Sequence, residues 1–237
     1  MKINRKEIKE LSKSQLKGHW KIPVLLTLAY SILVYITGMF QNESSSLTTI
    51  IVSFILTMAV SIWATVGLPR FYLEFIDTDG NANFRDVLVT KKALLKSLIY
   101  NIIIMLISFI LIFVSMFAFA GIGATLIFTE GSMSLYTVLI IAIVSLIVLV
   151  FIIFALAVAQ VPYLIIEHEE LGTLEAMSLS MKMMKGYKTK LFILQLSFIG
   201  WAILCLFTLG IGFFWLEPYI FVAQTNFYRM LSIDNIK

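Results

Sequence analysis

Two stretches, LIYNIIIMLISFILIFVSMFAFAGIGATLIF at residues 98–128 and LYTVLIIAIVSLIVLVFIIFALAVAQV at residues 135–161, contain no charged side chain between them. A membrane-crossing helix needs ~20 predominantly apolar residues, so each run can span a bilayer. The first has length to spare for tilting, or for bending near Gly121-Ile-Gly123. The segment joining them, Thr129–Ser134, is polar and short. Together they read as a helical hairpin in lipid, and the rest of the chain repeats the pattern.

Upstream, Ile22–Phe40 is entered at Pro23 and left at Gln41–Ser46, and Leu47–Leu68 is closed by Pro69-Arg70. Downstream, Pro162 stops the second of the two quoted runs. The last apolar tract, Leu191–Leu231, is too long for one span, and Gly210-Ile-Gly212 divides it into a tight hairpin. The expected fold is therefore all-α: one integral membrane domain, a polytopic transmembrane helical bundle of six spans in three hairpins. The spans fall at about 22–40, 47–68, 98–128, 135–161, 191–209 and 213–231, with cytoplasmic segments 1–21, 69–97 and 162–190. The first span follows a long basic region and precedes no A-x-A site, so it reads as an uncleaved signal anchor.

Composition agrees. The chain is 60% hydrophobic and 14% charged, with a mean hydropathy of +0.96. A soluble domain is nearer ~45–50% apolar and ~25% charged, which excludes a water-soluble globule. The net charge of +4 matters less than its placement. Lys2, Arg5, Lys6, Lys9, Lys13, Lys17 and Lys21 precede the first span. Arg70, Arg85, Lys91, Lys92 and Lys96 lie between the second and third, and Lys182, Lys185, Lys188 and Lys190 between the fourth and fifth. Arg229 and Lys237 lie at the end of the sixth, which accounts for all 18 basic residues and leaves none for the alternate loops. Basic loops stay on the cytoplasmic side, so both termini are expected in the cytoplasm.

Each cytoplasmic segment also reads as an amphipathic helix leading into a span. In the first, Ile3, Ile8 and Leu11 share a face, opposite Lys6, Lys9, Lys13 and Lys17. In the second, Asn83 is placed to cap a helix carrying Phe84, Leu88 and Leu95. In the third, Thr173 is placed to cap a helix with a stripe of Leu174, Met177, Met181 and Met184. Leu11-Ser12 through Leu16-Lys17-Gly18-His19 also matches Leu179-Ser180 through Met184-Lys185-Gly186-Tyr187 at Leu, Ser, Lys and Gly. Three units of interfacial helix plus hairpin would explain the match, and its shortness leaves a chance likeness open.

The C-terminal third carries a sharper pattern: Leu174-Glu-Ala-Met, Met184-Lys-Gly-Tyr, Leu191 through Trp201, Leu209-Gly-Ile-Gly, Trp215-Leu-Glu-Pro-Tyr219 and Asn226-Phe-Tyr228. With Leu16-Lys-Gly-His-Trp20 near the start, it resembles the domain of unknown function 975 family of uncharacterised bacterial integral membrane proteins. The resemblance implies a multi-pass protein of the cytoplasmic membrane of a bacterium. It brings no activity, catalytic residues or cofactor.

Chemistry-bearing residues are few. Glu217 is the lone acid within an expected span, roughly 8 Å from the Gly210–Gly212 turn at 1.5 Å per residue. A charge there costs ~2.5–3.5 kcal/mol at mid-membrane, which makes it a functional candidate, and Pro218 beside it can kink the helix. The bland alternative is a shallow glutamate reaching the interface. Gln224 lies seven residues on, on the same helical face, while Gln160, Gln195 and Asn101 sit near the cytoplasmic ends of other spans. If those ends converge they line an intramembrane polar site; otherwise they are packing contacts between helices. Lys6, Lys9, Lys13, Lys17, Lys182 and Lys185 are candidate contacts for anionic lipid headgroups.

Glu167-His168-Glu169-Glu170 reads as a solvated acidic loop, because four adjacent residues of a helix cannot face one ion. The two G-x-G pairs lack the strand–turn–helix setting of a nucleotide site. No spanning segment holds a histidine, so no nucleophile–base pair arises. Cys205 stands alone, which excludes an intrachain disulfide. No cofactor and no nucleic-acid partner is indicated. The sequence therefore points first to a non-enzymatic envelope component or an accessory to a transport or export complex in the lipid bilayer. A transporter or binder of lipid or a small amphiphile around Glu217 comes second, and an intramembrane enzyme last.

Overall fold

In the computed structural model, residues 4–42, 46–128 and 135–235 are described. Residues 43–45 of the expected outer loop 41–46, all of 129–134, and Ile3 lie outside them. The described residues are helical with short joints and no strand. Ten helices are α1 (Arg5–Leu16), α2 (Lys21–Asn42), α3 (Leu47–Asp77), α4 (Lys91–Phe128), α5 (Leu135–Ala157), α6 (Val161–Glu167), α7 (Thr173–Met183), α8 (Lys188–Leu196), α9 (Ile199–Phe207) and α10 (Phe213–Asn235).

The apolar residues do two different jobs. Along α2, the first half of α3, α4 and α5, large side chains such as Ile32, Phe54, Phe113 and Leu146 are exposed. The hydrophobic windows of α4 and α5 bury nothing inside the fold. The closely packed core lies at one end. There the second half of α3 (Val66, Phe71, Tyr72, Phe75) meets Leu164 and Ile165 of α6, Met177 of α7, and Val222, Phe227 and Leu231 of α10. Among the described residues five helical stretches are long and apolar enough to cross a membrane: Lys21–Met39, Leu47–Asp77, Lys91–Thr125, Leu135–Glu167 (α5 with α6) and Lys188–Phe207 (α8 with α9). The sixth expected span, 213–231, falls in α10, which is not one of the five. Instead α10 is the hub of the packed end, in contact with α1, α2, α3, α7 and α9.

Several expected boundaries move, each for a packing reason. Pro69 does not close the second span: α3 runs through it to Asp77. Pro69 itself is buried, and Phe71, Tyr72, Phe75 and Ile76 beyond it add enough buried apolar surface to hold a further two turns. The middle segment forms no amphipathic helix. Asn83 opens a single 3-10 turn, Phe84–Val87, where its N–H donates to Asp86 Oδ2 at 2.6 Å. Phe84, Leu88 and Leu95 remain exposed. The cap of α4 is Thr90, whose Oγ1 accepts from Ala93 N at 3.1 Å. Pro162 begins a helix rather than ending one: α5 stops at Ala157, and Pro162 occupies the first turn of α6, where a missing N–H costs nothing. The tract 188–207 breaks at Ser197-Phe198, which the sequence pattern did not announce.

The amphipathic helices at either end form as expected but rotate. On α1 the buried face is Ile8, Ser12 and Leu16, and Leu11 is exposed. On α7 it is Ala176, Met177, Ser180 and Met183, leaving Leu174 and Met181 outside. Thr173 is the first helical residue rather than the cap, and the N–H of Gly172 donates to Glu175 Oε2 at 2.8 Å. The short repeat has a structural counterpart. Ser12 and Ser180 are both fully buried, and α1 and α7 both end at a glycine with positive φ, +89° at Gly18 and +84° at Gly186. That left-handed conformation suits glycine and turns each chain into the next helix. The middle segment has no such unit.

Both unannounced joints are closed by side chains. Ser180 Oγ donates to the carbonyl of Ala157 at 2.8 Å and accepts from Gln160 N at 3.3 Å, so it bridges the α5–α6 break. Lys9 Nζ donates to the carbonyl and Oγ of Ser197 at 3.1 and 3.2 Å, at the α8–α9 break. Ser180→Ala leaves two buried backbone groups unpaired, a loss of about 1–3 kcal/mol. Ser145→Ala removes a hydroxyl that is bonded to Ile141 O within its own helix and is expected to be close to neutral. Denaturant unfolding of both variants in micelles measures the difference; equal effects would contradict a bridging role.

Candidate functional site

The apolar setting makes every polar contact informative, because an unpaired donor or acceptor in hydrocarbon is costly. Asn101 on α4 is the centre of a cross-helix cluster. Its Oδ1 accepts from Ser61 Oγ at 3.1 Å, and its Nδ2 donates to Thr65 Oγ1 at 3.0 Å and to the carbonyl of Ser97 at 2.8 Å. Ser97 Oγ in turn donates to the carbonyl of Ile62 at 2.7 Å. Every bond ties α4 to α3 or closes within α4, so Asn101 is fully occupied as a helix-to-helix contact. Ser61 and Thr65 were legible as an i, i+4 hydroxyl pair inside an apolar run, a signal the sequence reading passed over.

A cavity of about 340 Å³ opens beside this cluster, lined by Tyr30, Ser61, Thr65, Tyr100, Tyr163 and Gln224 among others. Gln224 and the hydroxyl partners of Asn101 are therefore brought together. The other glutamines are not. Gln160 is buried at the α5–α6 joint, where Nε2 donates to Met184 Sδ at 3.5 Å, and Oε1 has no hydrogen-bond partner among the described residues. Gln195 is exposed on α8. Glu217 is half-buried on α10, within range of Tyr30 and Tyr72, with no hydrogen bond or ion pair to another described residue. Tyr30 thus lines the cavity and also lies within electrostatic reach of Glu217.

The C-terminal end of α10 is locked by charge. Arg229 forms salt bridges with Asp77 at the end of α3 and Glu167 at the end of α6, and Tyr228 Oη donates to Glu167 at 2.6 Å. Glu167 is thus a structural anchor, not part of a solvated loop. His168 and Glu170 pair at 3.1 Å and stay exposed, and Glu169 accepts from Thr90 Oγ1 at 2.8 Å. Among the described residues no group of three His, Cys, Asp or Glu is placed to hold a metal ion.

The candidate headgroup lysines also divide. Lys17, Lys182 and Lys185 are exposed at the ends of α1 and α7. Lys6, Lys9 and Lys13 share a basin of about 450 Å³ with Arg5, Glu10 and Ser197. Burial, then the like charges of Lys13 and Arg5, lower the proton affinity of Lys9 below the ordinary lysine range. Its ammonium lies 4.5 Å from the centre of the Phe198 ring, a cation–π contact that offsets part of that cost. Three tryptophans gather next to this basin: Trp20, Trp201 and Trp215 line one apolar cleft with Lys13.

Long apolar helices set on a packed, charge-locked end define an all-helical protein with several helices able to cross a membrane. The chain belongs to the family described as protein of unknown function (DUF975), which matches residues 1–235. No curated protein and no solved structure matches it.

The Asn101 cluster generates a test of its own. Asn101→Ala is expected to cost ~0.6–2 kcal/mol of stability, the range for polar contacts between membrane helices, and to couple with Thr65→Val in a double-mutant cycle. Gln195→Ala, at an exposed position, is expected to change nothing. Additivity of the first pair would remove the cross-helix role.

Proposed function

We propose that this chain is a multi-pass protein of the bacterial cytoplasmic membrane with both termini inside, a single membrane domain that serves as a non-enzymatic envelope component, an accessory to transport or export. The observation that carries it is the depth implied by α1. This helix bears Arg5, Lys6, Lys9 and Lys13 and is followed by Lys17, and such a density of charge belongs at the cytoplasmic surface. Yet α1 packs directly onto α10: Asn226 Nδ2 donates to Ser12 Oγ and Gln15 Oε1 at 3.0 and 2.7 Å, and Tyr219 Oη to the carbonyl of Lys9 at 3.3 Å.

Tyr219 is therefore near the surface too. From Tyr219 to Gly212 is about 10 Å at 1.5 Å per residue, against a hydrocarbon thickness of ~30 Å. The turn between α9 and α10 ends inside the membrane. Its composition agrees: Phe207 and Leu209 are 81% and 94% exposed, an apolar tip unlike the polar segments 41–46 and 129–134. The six spans expected from sequence give way, in this proposal, to four full spans, α2 to α5, and a C-terminal hairpin that enters and leaves by the cytoplasmic face. The parity is unchanged, so both termini stay inside. The charged groups that meet, Arg229 with Asp77 and Glu167, hold helix ends together on that same side.

In a Cys205→Ala background, single cysteines at Ser44, Gly131 and Leu209 test the arrangement in intact cells. An impermeant maleimide is expected to label the first two and not the third. Labelling at Leu209 would restore a turn on the outer face, and protection of Ser44 and Gly131 would reverse the orientation.

The polar cavity favours a second reading, the binding or passage of a small amphiphile between α2, α3, α4 and α10. Under it, Glu217→Gln folds normally but fails to complement a deletion strain. Full complementation would remove that reading and leave the first.

A further inference from the structure

The basin on α1 and the tryptophan cleft are adjacent and share Lys13. The cleft has a volume of about 430 Å³, within the ~300–1,000 Å³ range of ligand pockets. Its walls are apolar: Trp20, Trp201, Trp215, Leu216, Tyr219 and the thiol of Cys205. Trp201 and Trp215 are each 49% exposed, so they flank an opening rather than fill the core. The basin carries Arg5, Lys6, Lys9 and Lys13 against the single acid Glu10. Lys9 is committed to Ser197. Lys13, 6.0 Å from the centre of the Tyr219 ring, has no ion pair among the described residues and is the cation at the boundary between the two volumes.

We infer that this composite site binds one anionic membrane phospholipid, with its phosphate on Lys13 and the α1 basin and an acyl chain in the tryptophan cleft. The two volumes fit the two halves of such a molecule. A soluble phosphate would satisfy the basin and leave the cleft empty. A neutral lipid would fill the cleft and leave four cations balanced by Glu10 alone. Tryptophans belong at the depth where headgroup meets chain, and the aqueous and apolar sides of this site meet at that level. The lipid then lies between α1, α9 and α10, joining the N-terminal helix to the C-terminal hairpin. The inference rests on the bilayer placement proposed above.

Three of the four tryptophans line the cleft, so their fluorescence reports on it. The full chain, reconstituted in phosphatidylcholine vesicles, is titrated with a small fraction of brominated phosphatidylglycerol or of brominated phosphatidylcholine. The expected result is stronger quenching by the anionic lipid, about a fivefold preference for a single interfacial lysine, largely lost in Lys13→Gln. Lys182→Gln and Lys185→Gln, which leave α1 and the cleft intact, are expected to keep the preference. Equal quenching by the two lipids in the unsubstituted chain would overturn the site. So would a loss of preference in the α7 variants as large as in Lys13→Gln, since the attraction would then be diffuse. Quenching by neither lipid would overturn the bilayer placement, and the site with it.

Discussion

The contact between a basic helix and an apolar one governs this fold. α1 cannot leave the aqueous boundary without burying its cations, and α10 cannot leave α1 without breaking the bonds of Asn226 to Ser12 and Gln15. Each helix alone has an obvious place, on the surface or through the membrane. Joined, they fix the position of everything attached to α10: the α9 hairpin on one side and the Arg229 cluster on the other. The remaining apolar stretches, α2, the first half of α3, α4 and α5, extend from that end with little of their surface buried in protein.

A second constraint acts at the joints. Backbone groups in a low-dielectric setting must be paired, so a helix can break there only where a partner is supplied. Ser180 supplies it at Ala157 and Gln160, and Lys9 at Ser197. Both partners come from amphipathic segments far away in sequence, so the same helices that hold the packed end together also permit the breaks. Gln160 shows the limit of the device, since its Oε1 is left without a described partner.

What the sequence made legible follows from this division. Uninterrupted apolar runs identified α2 to α5, because long apolar stretches left exposed by the fold are marked by composition alone. The matched Leu-Ser and Lys-Gly spacing pointed to α1 and α7, because a buried serine and a left-handed glycine are local requirements. Features set by distant contacts were not legible. Pro69 reads as a stop until Phe71, Tyr72 and Phe75 are seen to be buried on α10 and its neighbours. The break at Ser197 depends on Lys9, 188 positions away. Among the candidate polar residues, Gln224 and the partners of Asn101 do converge on a cavity, while Gln160 and Gln195 do not, because near-equal depth along a helix says nothing about which way a side chain faces.

The far halves of α4 and α5 bear on where any activity resides. Their hydroxyls turn to each other or to their own backbone: Thr125 Oγ1 lies 2.8 Å from Thr137 Oγ1 and bonds to Ile122 O, and Ser145 bonds to Ile141 O. A polar path across the bilayer needs side chains left free to face it, and the hydroxyls of Thr125, Thr137 and Ser145 are already used. Among the described residues, Lys13, Gln224, Tyr30 and Glu217 have side chains available for a ligand, and all four are carried by the packed end or by the helices that reach it. Under the proposed placement that end lies in the cytoplasmic leaflet, where a bound lipid would meet these groups.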